Sequence, residues 1–170
     1  MSNSLKLQVL LKAVDQASRP FKAIQNASKT LSGDIRRTKD TLKDLDRQAA
    51  QIDGFRKTSS QLAVTKVALQ KARDEAAGLA VQFRNTERPT NAQAKALDAA
   101  KRAAAELQAK TNSLSLSVQQ QRGALNSAGI STRNLSDAQK QLKNRSAEAS
   151  RTLARQKDEL AALGRQQEQV

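Results

Sequence analysis

Residues 31–52, LSGDIRRTKDTLKDLDRQAAQI, carry the pattern that decides the fold. Apolar and small residues recur there in steps of three and four, at Leu31, Ile35, Thr38, Leu42, Leu45, Ala49 and Ile52. Such steps average about 3.5 residues, so these side chains follow one narrow line on a helix, here called the seam. A narrow seam packs against another helix better than against a broad globular core. The stretch therefore predicts a long helix with helical partners.

The same spacing recurs in three later parts of the chain. After Asp53-Gly54, the seam continues at Leu62, Thr65, Leu69, Ala72, Ala76, Leu79 and Phe83. After Pro89, it continues at Leu97, Ala100, Ala104, Leu107, Thr111, Leu114, Val118 and Leu125, with Gln121 as a polar step. The last run comprises Leu142, Ala149, Leu153, Leu160, Leu163 and Val170. The predicted fold class is mainly all-α, with long helices in an antiparallel hairpin or coiled-coil bundle.

Glycine and proline divide this pattern into predicted segments. Gly54, followed by Thr58-Ser59-Ser60, predicts a hinge, or a stammer if the helix is continuous. Gly129 suits a left-handed helix end, and Ser136-x-x-Gln139 resembles a capping box. The predicted domains are an N-terminal strand and capped helix (1–33), a heptad helix (34–53), a helical hairpin with its turn at 85–91 (54–127), and a second heptad helix (128–170). Because the heptads still run at Val170, we expect a longer natural chain.

The turn around Pro89 leaves two architectures open. Pro89 disfavours helix at the residue before it, and Thr90-x-x-Gln93 is a capping box that predicts the start of a new helix. A short connection usually joins antiparallel neighbours, so helices 61–85 and 91–127 would form a hairpin. The alternative is one long kinked helix in a parallel oligomer.

The N-terminal segment has a different period. Leu5, Leu7, Val9, Leu11 and Ala13 mostly alternate with polar residues, which predicts a short β-strand at residues 5–14. A lone strand needs a partner, and the alternative is the first turns of a buried helix. Ser18 is then a candidate helix cap, with Pro20 in the first turn.

Composition excludes several kinds of chemistry. The 170 residues include no Cys, His, Trp or Tyr, which removes thiolate and imidazole catalysis and disulfide formation. Asp44 and Asp46 point to different helix faces, and Asp158-Glu159 reads as a solvated surface rather than a metal site. We predict no enzyme activity, no catalytic, cofactor-binding or metal residues, and no cofactor.

Charge suggests the surroundings of the chain. The net charge is +14, spread evenly along the length, which suits an extended acidic environment such as a nucleic acid or an acidic protein channel. A well-solvated helix surface explains the charge equally well. No aromatic residues interleave with Arg36-Arg37 or Lys101-Arg102, so nucleic-acid binding is possible but not favoured. No apolar run approaches the roughly 20 residues of a membrane span, so no membrane segment is predicted in this portion.

Several short segments resemble tail tape measure proteins of contractile-tailed phages. They are the opening from Leu5 to Phe21, Gly54-Phe55-Arg56-Lys57-Thr58, residues 83–89, and Ala128-Gly129-Ile130-Ser131-Thr132-Arg133. Members of that family are usually much longer, so this chain would be the N-terminal portion. The resemblance implies a multi-copy helical filament in the tail tube, which sets tube length during assembly and leaves ahead of the DNA on infection.

The resemblance also implies partners and a location. These are further copies of the chain as a homo-oligomer, the lumen of the tail tube protein, the tail assembly chaperones and the baseplate hub. The location would be the virion tail, inside the tube, after assembly in the host cytoplasm. The alternative function is a basic coiled-coil protein that binds or organises nucleic acid.

Overall fold

The computed structural model of the chain describes residues 2–169, which form three helices. These are α1 (Ser2–Asn85), α2 (Asn91–Ser127) and α3 (Leu135–Gln169). The helices contribute to two compact units. Unit 1 combines α1 up to Arg47 with α3 from Lys140 onward, and unit 2 comprises Gln48–Gln139. The prediction of a mainly helical fold with long helices is confirmed for the described residues.

The structure has helix where the sequence predicted an N-terminal strand. Residues 5–14, for which a strand was predicted, lie inside α1. Their apolar residues also satisfy a helical spacing, because Leu7, Leu10, Leu11 and Val14 recur at steps of three, one and three. The described residues contain no second strand with which this segment could pair, and an unpaired strand is unstable.

Helix α1 also continues through the other expected start and break points. It includes Ser18 and Pro20, so no helix begins there, although the Pro20 nitrogen cannot donate a helical hydrogen bond. Gly33 and Gly54 likewise lie within α1. Isolated glycines lower helix stability by only about 1 kcal/mol each, which long flanking runs of good helix formers offset. The four-domain division of the sequence stays a prediction.

The turn between α1 and α2 is short, and the N-terminus of α2 carries the predicted cap. Thr90 is the N-cap of α2: its hydroxyl accepts a hydrogen bond from the Gln93 backbone N–H, at 3.1 Å. The Thr90 backbone N–H donates in turn to Gln93 Oε1, at 2.9 Å. The predicted capping box is therefore confirmed, and it fixes where α2 begins.

Helix α2 ends in a Schellman motif. Gly129 adopts a φ of 79°, as its predicted left-handed role requires. The Gly129 N–H donates to the Asn126 carbonyl at 3.0 Å, and the Ile130 N–H donates to the Leu125 carbonyl at 2.9 Å. Ile130 and Leu125 are both buried, which supplies the apolar contact typical of this motif.

Helix α3 begins two residues earlier than the sequence motif suggested. Its N-terminal cap is Asn134 rather than Ser136: the Asp137 N–H donates to Asn134 Oδ1 at 3.4 Å. Asn134 Nδ2 donates to Asp137 Oδ2 at 2.7 Å. Asn is as good an N-cap as Ser, and here it lies closer to the preceding Gly129 turn. Within unit 2, Ser136 instead accepts a hydrogen bond from Arg56, at 3.3 Å.

Within unit 2, α1 and α2 run antiparallel. Arg73 donates to Gln108 Oε1 midway along the arms. Farther from the turn, the Arg122 guanidinium lies 5.8 Å from the centroid of the Phe55 ring. As the residue number rises on one arm it falls on the other, so the two arms form a hairpin closed at 86–90. The fully buried side chains Ile52 and Leu125 lie at the end opposite the turn.

Candidate interaction surfaces

The hairpin of unit 2 has a seam in which like residues face each other. The contact of Arg73 with Gln108 shows that the arms are antiparallel, and the proximity of Phe55 to Arg122 and of Gly54 to the Gln121 side chain constrains the register. From these contacts and the spacing of the two seams we infer a register that pairs Leu with Leu, Thr with Thr and Ala with Ala at six successive levels, here called the mirror layers. They are Leu62/Leu114, Thr65/Thr111, Leu69/Leu107, Ala72/Ala104, Ala76/Ala100 and Leu79/Leu97.

The threonine layer is buried and makes its hydrogen bonds locally. Thr65 and Thr111 are 5% and 7% exposed. The Thr65 hydroxyl donates to the Gln61 carbonyl at 2.7 Å, and the Thr111 hydroxyl donates to the Leu107 carbonyl at 2.7 Å. Because each hydroxyl bonds one turn back on its own helix, the layer needs no polar partner across the seam. The two threonines therefore behave as small apolar residues toward each other.

Beyond the mirror layers, the seam becomes polar at Gln121. The Oε1 atom of Gln121 is buried and has no hydrogen-bond partner among the described residues. Its Nε2 atom lies beside Gly54, 3.9 Å from where a β-carbon would be. A buried amide oxygen without a donor lowers stability by about 1–3 kcal/mol. Gln121 is thus a weak point in an otherwise apolar seam.

Unit 1 has a polar contact between its two helices. Thr38 on α1 and Gln156 on α3 are both part-buried, and the Thr38 hydroxyl lies 2.8 Å from Gln156 Oε1. The same hydroxyl is 3.0 Å from the Asp34 carbonyl. Ile35 and Leu45 of α1 and Leu142 of α3 are buried in the same unit. A single hydrogen-bonded pair in an apolar seam favours one register over slipped ones.

A groove of about 580 Å³ also runs between the helices of unit 1. Two leucines that line it, Leu31 and Leu163, remain half-buried because two helices cover a seam from only two sides. Asp34 and Glu159 are its two acidic lining residues. The groove is lined by Asn26, Ala27, Thr30, Leu31, Asp34, Glu159, Ala162, Leu163 and Gln166.

The acidic residues considered from the sequence do not form a cluster. Asp44 is exposed and pairs with Arg47 at 3.5 Å on the same helix, while Glu159 lines the unit 1 groove. Among the side chains that the structure describes, no group of three or more acidic residues is placed to hold a metal ion. In the same part of the chain, no helix is long and apolar enough to cross a membrane.

Sequence reasoning did not identify three of these contacts. Arg122 over Phe55 and the Thr38–Gln156 pair depend on which helices meet, which heptad spacing alone does not state. The cap at Asn134 was detectable, because Asn followed three residues later by Asp is a capping pattern.

The chain is a protein of the coiled-coil class. Its long helices pack along heptad seams, and the two arms of its hairpin have matched seams. The chain is 60% identical over 167 residues, or 98% of its length, to the "Probable tape measure protein" of Escherichia phage P2. It is 33% identical over 85 residues to the "Probable tape measure protein" of Halomonas phage phiHAP-1, which covers 50% of this chain. These matches confirm the resemblance to phage tape measure proteins.

The chain spans only part of these relatives. It corresponds to 20% of the length of the phage P2 protein and to 10% of that of phage phiHAP-1. No family model matches the chain. No solved structure matches it either. The nucleic-acid alternative gains no support from the two relatives, since both share the same tape measure name.

Proposed function

We propose that this chain is part of a tail tape measure protein, which acts as a helical ruler and assembly scaffold in the tail tube and leaves the tube on infection. The observation that carries the proposal is the 60% identity to the phage P2 protein along 98% of this chain. The role is structural and involves no catalysis or cofactor. The protein would be located in the virion tail, in the tube lumen, after assembly in the host cytoplasm.

The helical architecture supports a ruler. A helix advances about 1.5 Å per residue, so the length of a helical protein scales with its residue number. Charge supports a location in an acidic lumen, since the chain carries +14. The seams support multi-copy assembly, and we propose that the partners are other copies, the tail tube protein, the tail assembly chaperones and the baseplate hub.

The test uses phage P2, with the matching segment of its tape measure protein replaced by this chain. We expect the hybrid phage to assemble tails of normal length, as measured by electron microscopy. Residues 142–169 are then duplicated in tandem, which adds four heptads of α3. If the added residues form helix that contributes to the length of the ruler, the tails lengthen by about 42 Å, at about 1.5 Å for each added residue.

A matched control tests whether the added residues must be helical to lengthen the tail. Scrambling the added 28 residues with two prolines included disrupts the added helix, and we expect a smaller increase in tail length. Tails of unchanged length in both phages would contradict the ruler. Binding of the purified chain to duplex DNA, with a steep loss of affinity at higher salt, would instead favour the nucleic-acid function.

A further inference from the structure

The mirror layers allow the hairpin arms to exchange partners. Read from Leu62 to Leu79, the α1 seam is Leu, Thr, Leu, Ala, Ala, Leu; read backward from Leu114 to Leu97, the α2 seam is the same. An antiparallel hairpin therefore opposes like residues. Two α1 arms aligned in parallel and in register also oppose like residues, because each residue then faces its own copy.

We propose that this hairpin has a second structure, in which it opens and pairs in parallel and in register with a second copy of the chain. In that pair, α1 packs on α1 of the other copy and α2 on α2. The ruler proposal requires multiple copies but does not specify how they meet, so this inference goes beyond it. It identifies the surface between copies as the seam that the closed hairpin uses internally.

The opening conserves the apolar packing. Two closed hairpins contain six mirror layers each. The parallel pair contains six layers between the two α1 arms and six between the two α2 arms, with the same residue types. Within these layers, the burial of apolar area therefore changes little between the two structures. The threonines favour neither, because the hydroxyls of Thr65 and Thr111 are bonded within their own helices.

Charges beside the seam do not oppose the parallel pair. In a parallel coiled coil, a residue just before one layer approaches the residue five positions later on the other copy. None of these pairs joins two like charges; they are Gln61/Lys66, Ala68/Arg73, Glu75/Ala80, Ala96/Lys101, Ala103/Gln108 and Lys110/Ser115.

Local features favour the closed form at low concentration. Pro89 disfavours helix at the turn, and the Thr90–Gln93 capping box stabilises the N-terminus of α2 as a separate helix. Arg73–Gln108 and Arg122–Phe55 are specific to the antiparallel arrangement. The parallel pair needs two chains, so higher protein concentration favours it. Confinement of several copies in one space would shift the hairpin toward the open pair.

Cysteine cross-linking tests the proposal, because the chain has no natural Cys. Thr65→Cys places a thiol in a mirror layer, so that two parallel copies bring identical thiols together within the 4.4–6.8 Å between Cα atoms that a disulfide allows. The control is Val64→Cys, whose side chain is 71% exposed and faces away from the seam. Both 170-residue variants are oxidised at rising protein concentration.

We expect the disulfide-linked dimer fraction of Thr65→Cys to exceed that of Val64→Cys several-fold and to increase with concentration. Adding Pro89→Ala should increase it further, since the turn can then become helical. Thr111→Cys reports the α2 pair by the same readout and serves as a second probe if Thr65→Cys disturbs folding. The double variant Thr65→Cys/Thr111→Cys should close a disulfide within one chain at low concentration.

Two results would overturn the proposal. In the first, Thr65→Cys and Thr111→Cys cross-link no more than Val64→Cys at any concentration. In the second, dimers form only when the Thr65→Cys and Thr111→Cys proteins are mixed, which would indicate antiparallel exchange of arms. Neither result bears on tail length, so the ruler proposal is tested separately.

Discussion

Gly54 lies within α1 at a position where neither the backbone conformation nor the neighbouring atoms require glycine. A β-carbon there would meet Gln121 Nε2 at 3.9 Å, an ordinary contact, and the backbone is helical. We predict that Gly54→Ala stabilises the chain by about 0.5–1 kcal/mol, because alanine loses less backbone entropy in a helix. Urea unfolding followed by circular dichroism would measure the change.

Gly129 provides the matched control for that prediction. Its φ of 79° lies in the left-handed region, so Gly129→Ala should destabilise the chain by about 1–2 kcal/mol. Equal effects of the same sign at Gly54 and Gly129 would contradict the assignment of their backbone roles.

Gln121 gives a second prediction at the scale of one residue. Its Oε1 is buried without a partner, so Gln121→Met should remove an unsatisfied polar group while keeping a similar shape. We predict a gain of about 1 kcal/mol in the free energy of unfolding, measured in urea. Gln120→Met, at an exposed position of the same helix, is the control and should change stability little. A loss of stability in Gln121→Met would indicate that the amide has a partner in solution.

Residue-level features were predictable where they depend on neighbours in sequence. The Thr90–Gln93 box and the left-handed Gly129 follow from spacing and from backbone sterics, and both are present. The burial of Gln121 without a donor was not predictable, because it depends on what the opposite helix presents. The sequence showed that Gln121 is a polar residue in the seam, but it did not show the loss of stability that burial of its amide oxygen causes.

The hairpin arms of unit 2 give a prediction at the scale of the element. Ile52 and Leu125 are fully buried at the end opposite the turn. We predict that Leu125→Ala lowers the free energy of unfolding by about 2–5 kcal/mol, because it removes apolar contacts and leaves a cavity. Leu116→Ala, at a position that is 56% exposed on the same helix, is the control. Comparable losses in both variants would contradict the observed packing of α2.

At the scale of elements, the sequence predicted helix but not its continuity. Heptad spacing indicated a long stretch of each of the three described helices. It failed at residues 5–14, where a two-residue alternation coexists with a helical spacing, and at Gly33 and Gly54, which α1 passes without a break. Local breakers lower helix stability by only about 1 kcal/mol each, and tertiary packing of the flanking runs outweighs that amount.

The charge of the whole molecule gives a further prediction. The chain carries +14 at neutral pH, and ion pairs such as Asp44–Arg47 are solvent-exposed, so the folded state carries net self-repulsion. We predict that the Tm rises when NaCl is increased from about 20 mM to 500 mM, because the screening length falls well below 10 Å. Thermal circular dichroism at fixed protein concentration measures the shift. A Tm that falls with salt would indicate that attractive charge pairs dominate.

The turn at 86–90 also determines how the hairpin would respond to mechanical force. The ends of its two arms lie together, opposite the turn, so a pull applied through residues 48 and 127 would load the layers one after another rather than all at once. Each step would break a single layer, first at Ile52 and Leu125 and then along the mirror layers toward Pro89. The arms would therefore unzip at lower force than the same layers sheared together, and would re-close from the capped turn when the tension is released.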